Sequence, residues 1–274
     1  MSFEAAMPVR GGSAGVPQPT EEQSVLGLLS LTPAESKRLI ARATVQLPEV
    51  RHALSRGRVM VAAGTTTAYI AEEIMGTPIE KYRYAAGIIS QGTLTTTEAE
   101  EKIGPFCLYK GSPVEEAPRQ FLEQFTADDV FIKSANAVDV QGMAGVLMAG
   151  LVGGTMGIAF ALVTARGSHF VVPVGLEKLV PSVPDAARKA GILRFKYALG
   201  MPVGLMPVVG ATVVTEIQAL RILADVQATQ IAAGGIHGSE GSVVLSIEGP
   251  DAQVSQAIEI IRQIKGEPAI RKER

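Results

Sequence analysis

Four short stretches of this 274-residue chain hold the residue types that bind anions or move protons. The first is Gly64-Thr65-Thr66-Thr67, between the apolar run Arg58-Val-Met-Val-Ala-Ala and the helical segment Ala68-Tyr-Ile-Ala-Glu-Glu-Ile-Met. At such a strand-to-helix turn the first N–H groups of the helix lack intrahelical partners and carry partial positive charge. Glycine lets an anion reach them, and threonine hydroxyls add donors. The same residues also make an ordinary helix cap, so cradle and cap stand as two readings. The second stretch, Ser134-Ala-Asn136-Ala-Val-Asp139, follows the strand-like Asp129-Val-Phe-Ile-Lys. Ligands of open α/β sheets gather at the carboxyl ends of strands. There Asp139 is a candidate general base or hydroxyl anchor, and Asn136 can donate and accept toward a carbonyl. Turn formation by Asn and Asp is the alternative.

The third stretch, Gly153-Gly154-Thr155-Met-Gly157, pairs glycines with a hydroxyl at a helix start, which again suits an anion. The fourth, Gly175-Leu-Glu177-Lys178, comes just past Phe170-Val-Val-Pro-Val. Lys178 is a point charge for phosphate or carboxylate and the second candidate catalytic group, with Glu177 as its partner. A solvated Glu–Lys pair is the other reading. Cys107 lies in a Pro/Gly-rich connection with no histidine close by, and reads as a buried or incidental thiol rather than a nucleophile. His52, His169 and His237 have no metal-ligand spacing, and no phosphate-loop, serine-elbow or zinc-protease motif occurs. Neither a metal nor a cofactor is expected.

The elements that would carry these loops are legible in outline. Thr32, Pro33 and Glu35 form a helix start with a capping box, and that helix runs to about Gln46. A short helix from Pro48 to Ser55 leads into the strand before Gly64. Tyr84 to Ile89 is a further strand, Thr97 with Glu100 reads as another capping box, and 104–118 reads as a surface connection. A helix over 117–126 precedes the strand at 129–133. Strand, glycine turn and helix in succession predict an α/β protein, with a mostly parallel, Rossmann-like sheet and helices on both faces. The tail has another rhythm: a strand over 208–214, an amphipathic helix from Thr215, a hairpin turning at His237 to Gly241, a helix over 251–265, and an edge strand at 267–270. That order, βαββαβ, is a ferredoxin-like unit. The expected divisions are a flexible arm over 1–25, an α/β domain over 26–205 and a ferredoxin-like domain over 206–274.

Composition sets the outer limits. Hydrophobic residues make up 47% and charged residues 19%, too apolar for a disordered chain. The net charge of −2 gives no electrostatic reason to expect nucleic acid or an anionic membrane. One cysteine excludes an internal disulfide. Residues 1–20 lack the apolar core of a signal peptide, and a cytoplasmic protein is expected. Between Asp139 and Arg166 lie 26 uncharged residues, long enough for a membrane span, but six glycines there favour a buried turn feeding a core helix.

With the loops in this order, residues 50–185 resemble the superfamily of ribose-5-phosphate isomerase, glucosamine-6-phosphate deaminase and CoA transferases. They are also similar to initiation factor 2B-like proteins and methylthioribose-1-phosphate isomerase. The resemblance places Ala135-Asn136 at the family's Ala-Asp, Gly154-Thr155 at its Gly-Thr turn, and Lys178 at the lysine after the last strand. It implies a sheet of that kind and a pocket for an anionic small molecule. The departures concern chemistry: Asn136 stands where the isomerases carry an acid, Leu151-Val152 stands before Gly153 where they carry a lysine, and 156–165 holds no acid. No strand-end glutamate suits a CoA transferase.

Two functions follow as expectations. One is a protein that binds a phosphorylated or carboxylated metabolite, as an isomerase-like or acyl-transfer-like enzyme lacking the usual acids. Asp139 and Lys178 would then serve proton transfer or acyl/aldol-type chemistry. The other is a non-catalytic ligand sensor or assembly module whose tail pairs with another subunit. A homo-oligomer is expected, with neither nucleic acid nor membrane as partner.

Overall fold

The computed structural model describes residues 24–98, 100 and 102–272. Its centre is a six-stranded sheet built from the apolar runs. Four strands run parallel in the order β12 (Thr212–Val214), β10 (His169–Pro173), β7 (Val130–Ile132), β2 (Arg58–Val61). Strand β5 (Phe106–Tyr109) joins β2 antiparallel, and β6 (Ser112–Pro113) closes that edge. Successive side chains of a strand point to opposite faces, and both faces are covered here, which is why these strands are apolar throughout. Val59, Val61, Val130, Ile132 and Val171 join one core with helices α1 (Pro33–Thr44), α2 (Pro48–Arg56), α3 (Thr65–Met75) and α7 (Glu216–Ala224). Met60, Phe131, Phe170 and Val172 join the other with α4 (Pro118–Leu122) and α5 (Gly154–Arg166). The result is a mixed α/β protein around a mostly parallel sheet.

Locally encoded starts form as the sequence predicts. Thr32 Oγ1 accepts from Glu35 N at 3.3 Å and Thr32 N donates to Glu35 Oε2 at 2.9 Å, so the capping box opens α1. At the far end of α1's packing, Arg38 binds Glu72, Glu73 and Glu267 at 2.6–3.0 Å and ties the C-terminal segment to α3.

A second sheet lies over the carboxyl side of the parallel strands: β8 (Ala137–Val138), β9 (Ala144–Met148) and β11 (Gly204–Val208), in the order β11-β9-β8. A hairpin, β3 (Gly87–Ser90) with β4 (Thr93–Thr96), stands beside it. Between β10 and β11 the chain makes a short 3-10 turn over Leu176–Lys178 and helix α6 (Val183–Lys189).

The third sheet has the order β1 (Ser24–Leu31), β14 (Ser242–Pro250), β13 (Gln227–Gly234), all antiparallel. Leu29, Leu31, Val243, Leu245 and Ile247 bury against α8 (Asp251–Ile264) and share one continuous core with α1 and the main sheet.

Several expectations are corrected. Residues 208–214 are not one strand: β11 ends at Val208, Gly210 turns at φ +74°, and β12 hydrogen-bonds β10 in the main sheet. Residues 267–270 form no strand, and the third place in the tail sheet is taken by β1. A division at 205/206 therefore cuts through hydrogen-bonded sheets rather than between them. Of the expected arm, 1–23 lies outside the described residues, while Ser24 and Val25 belong to β1. The 104–118 connection contains β5, with Cys107 and Leu108 buried. Thr93–Thr96 is a strand, and Thr97 is a buried residue whose hydroxyl donates to Ala85 O at 2.5 Å; the rest of the expected capping box runs into residues outside those described. The uncharged run resolves into β9, a turn at 149–153 and the 13-residue α5. Among the described residues, no helix is long and apolar enough to cross a membrane.

Candidate functional site

The carboxyl ends of β2, β7 and β10 open into a cavity of about 270 Å³. At the end of β2 the chain turns at Gly64 into α3, which starts without a side-chain cap. Gly64 has an extended backbone (φ 171°), so glycine is required there by space. A Cβ would overlap Ser134 Oγ and lie 2.9 Å from Thr67 Oγ1. This close approach brings the first turn of α3 against the loop after β7. Across the cavity, α5 starts after Gly153 (φ +78°) and Gly154 (φ +55°), again without a side-chain cap. Gly153 N donates to Gly150 O at 2.8 Å, and Gly157 packs so tightly under Val152 O that a Cβ would overlap it. Two helix N-termini, of α3 and α5, thus face one space with their donors uncapped.

Of the residues singled out from the sequence, Gly64, Thr65, Ser134, Asn136, Gly153, Gly154, Thr155 and Lys178 all line this cavity. Asn136 Oδ1 accepts from Leu147 N at 3.0 Å, which anchors the loop to β9. Three lysines, Lys102, Lys133 and Lys178, line it, and among the described residues no acidic one does. Lys133 Nζ donates to Ala63 O at 2.6 Å and Lys178 Nζ to Ala135 O at 3.2 Å. Burial disfavours both ammonium ions. The charges of Lys102 and Lys178 add to this for Lys133, and that of Lys37 for Lys178, and each amine is pushed down to about 8. Glu177 and Glu216 oppose the fall at Lys178 only. An anionic guest would relieve this accumulated positive charge.

The other candidates sit elsewhere. Thr66 and Thr67 are fully buried inside α3's first turn. Thr67 Oγ1 donates to Gly64 O at 3.1 Å, and Thr66 Oγ1 has no partner among the described residues. Glu177 does not pair with Lys178 but with Lys37, at 2.6 Å. Asp139 is not placed to act as a base. Its Oδ1 accepts from Gln141 N and Met143 N at 3.1 and 3.0 Å, and its Oδ2 accepts from Val183 N at 2.9 Å. Both oxygens are spent holding the turn before β9 to the start of α6, and Asp139 is absent from the cavity wall.

Sequence reading missed three residues. Lys133 is the last residue of Asp129-Val-Phe-Ile-Lys, a lysine at a strand's carboxyl end, and the rule that singled out Lys178 would have found it. Lys102 arrives from the segment after the β3–β4 hairpin, which no local signal ties to the sheet. Glu216, the first residue of α7, is fully buried. Its Oε2 accepts from Leu176 N at 2.9 Å, and burial pushes its carboxyl above the ordinary range against the opposing hydrogen bonds of Leu176 and Ser36. Among the described residues no cluster of His, Cys, Asp or Glu could hold a metal ion. Comparison of the chain with protein-family models, with curated proteins and with solved structures gives no match.

Proposed function

We propose that this protein binds a small phosphorylated or carboxylated metabolite in the cavity at the carboxyl edge of its parallel sheet. The observation that carries the reading is the lining itself: three lysines, two uncapped helix N-termini and, among the described residues, no carboxylate. Unbalanced positive charge inside a protein is costly, and it is retained where a ligand supplies the counter-charge. The size suits a metabolite of a few carbons more than a nucleotide cofactor. On this reading the sheet is a Rossmann-like layer related to the sugar-phosphate isomerase and CoA transferase superfamily, with Lys178 as the phosphate-side cation. The displacement of Asp139 from the cavity and the lack of a lining acid among the described residues favour chemistry other than carboxylate-driven isomerisation.

Thermal-shift titration with glycerol 3-phosphate tests it. Saturable stabilisation is expected in the native chain, reduced at least tenfold in midpoint affinity by Lys178→Met. Equal stabilisation in both proteins, or none in either, would remove the proposal.

A second reading, a ligand sensor that assembles through its tail, is favoured by one feature. Edge strand β1 exposes Leu26 (73%) and Leu28 (68%), and has no second neighbour among the described residues. Such edges invite pairing with another copy. Light scattering of Leu26→Lys/Leu28→Lys is expected to show a smaller assembly than the native chain.

A further inference from the structure

Lys133 stands apart from the other cations of the cavity. It follows β7, which is flanked on both sides by parallel neighbours, β2 and β10, so its backbone is held at the middle of the parallel set. Its Nζ is oriented by one hydrogen bond to Ala63 O, and it has no ion pair among the described residues. Lys178 differs, because two carboxyl groups, Glu177 and Glu216, lie near enough to favour its proton. A cation that serves only to hold an anion gains from such carboxylates at its back. An amine whose charged neighbours among the described cavity residues are Lys102 and Lys178 is arranged to lose its proton.

Resting on the anion-pocket reading, we propose that Lys133 is a nucleophile that forms an imine with the carbonyl carbon of a phosphorylated aldehyde or ketone. The phosphate would lie on the α3 and α5 N-termini and Lys178. In the step, the lone pair of the neutral amine forms the N–C bond while the carbonyl π pair moves to oxygen. The two amine hydrogens then leave with that oxygen as one water molecule, and the nitrogen lone pair completes the C=N bond. No oxidant or reductant is consumed. With their amines pushed down to about 8, Lys133 and Lys178 both hold more neutral amine at pH 7 than an ordinary lysine.

The test is borohydride trapping of the native chain with glyceraldehyde 3-phosphate, read by intact mass and peptide mapping. Borohydride delivers hydride to the imine carbon and leaves a stable secondary amine. One adduct per chain is expected, on Lys133, forming faster as pH rises toward 8 and suppressed at least tenfold by excess glycerol 3-phosphate. Lys133→Arg keeps the charge, and it is expected to abolish the adduct while its circular-dichroism spectrum stays that of the native chain. Adducts scattered over surface lysines, or placed on Lys178, overturn the imine. So does the absence of any adduct while glycerol 3-phosphate still stabilises the protein, in which case the anion pocket stands without it. If neither trapping nor stabilisation occurs, both fall.

Discussion

Replacing Asp139 with alanine separates a structural carboxylate from a catalytic one. The side chain accepts three backbone N–H bonds, the one from Val183 buried and those from Gln141 and Met143 part-buried. Leaving a buried donor unpaired costs about 1–3 kcal/mol, and a part-buried donor that finds water costs about 0.5–1.5 kcal/mol. Together the loss is roughly 2–6 kcal/mol, a fall of about 5–20 °C in melting temperature for a chain of this size. Asp139→Asn keeps one acceptor oxygen but turns an amide N–H₂ toward a backbone donor, so an intermediate loss is expected. Guanidinium unfolding followed by circular dichroism measures stability, and thermal-shift titration with inorganic phosphate measures binding. Phosphate affinity of the folded variants should stay within about threefold of the native value, because Asp139 does not reach the cavity. Unchanged stability together with lost binding would refute the reasoning, since it would put the carboxylate in the site after all.

Three further outcomes follow from particular contacts. Gly64→Ala drives a Cβ into Ser134 Oγ and should cost about 1–3 kcal/mol, partly recovered in Gly64→Ala/Ser134→Ala; additive losses in that double-mutant cycle would contradict the packing. Glu216 holds its proton to higher pH when folded than when unfolded, so stability falls as pH climbs from about 4.5 through the folded value. Glu216→Gln keeps an acceptor for Leu176 N and removes the charge, so it should raise the melting temperature at pH 8 more than at pH 4; an equal change at both pH values would count against a buried carboxylate. Cys107, buried in β5 with its thiol pushed up to about 11, should resist iodoacetamide at pH 8 until the chain unfolds, and rapid labelling of the native protein would contradict its place in the sheet.

What the chain discloses from its sequence depends on the range of the interaction involved. The Thr32–Glu35 box, the Gly64 turn and the Gly153-Gly154 helix start are set within a few residues, and all three form where their residue types predict. Strand β5 was illegible because Pro105, Gly111 and Pro113 dominate its surroundings, while its partner β2 lies some fifty residues earlier. Strand β9 hid inside the glycine-rich run, since its pairing with β11 joins segments sixty residues apart. The tail sheet was misassigned for the same reason, as β1 and β14 meet across most of the chain. At the site, strand-end position picked out loops well but side-chain roles poorly. Asp139 and Glu177 have the chemistry of bases, yet nearby N–H groups and Lys37 occupy them. Lys133 carries no local motif beyond ending a strand, and that position is what places it on the cavity wall.

A crystal structure with bound tungstate, a heavy-atom mimic of phosphate, tests the central claim most directly through its anomalous signal. The expected peak lies within hydrogen-bond reach of the Thr65 and Thr155 backbone and of Lys178 Nζ. Tungstate found only at surface lysines, with this cavity holding water alone, would contradict it.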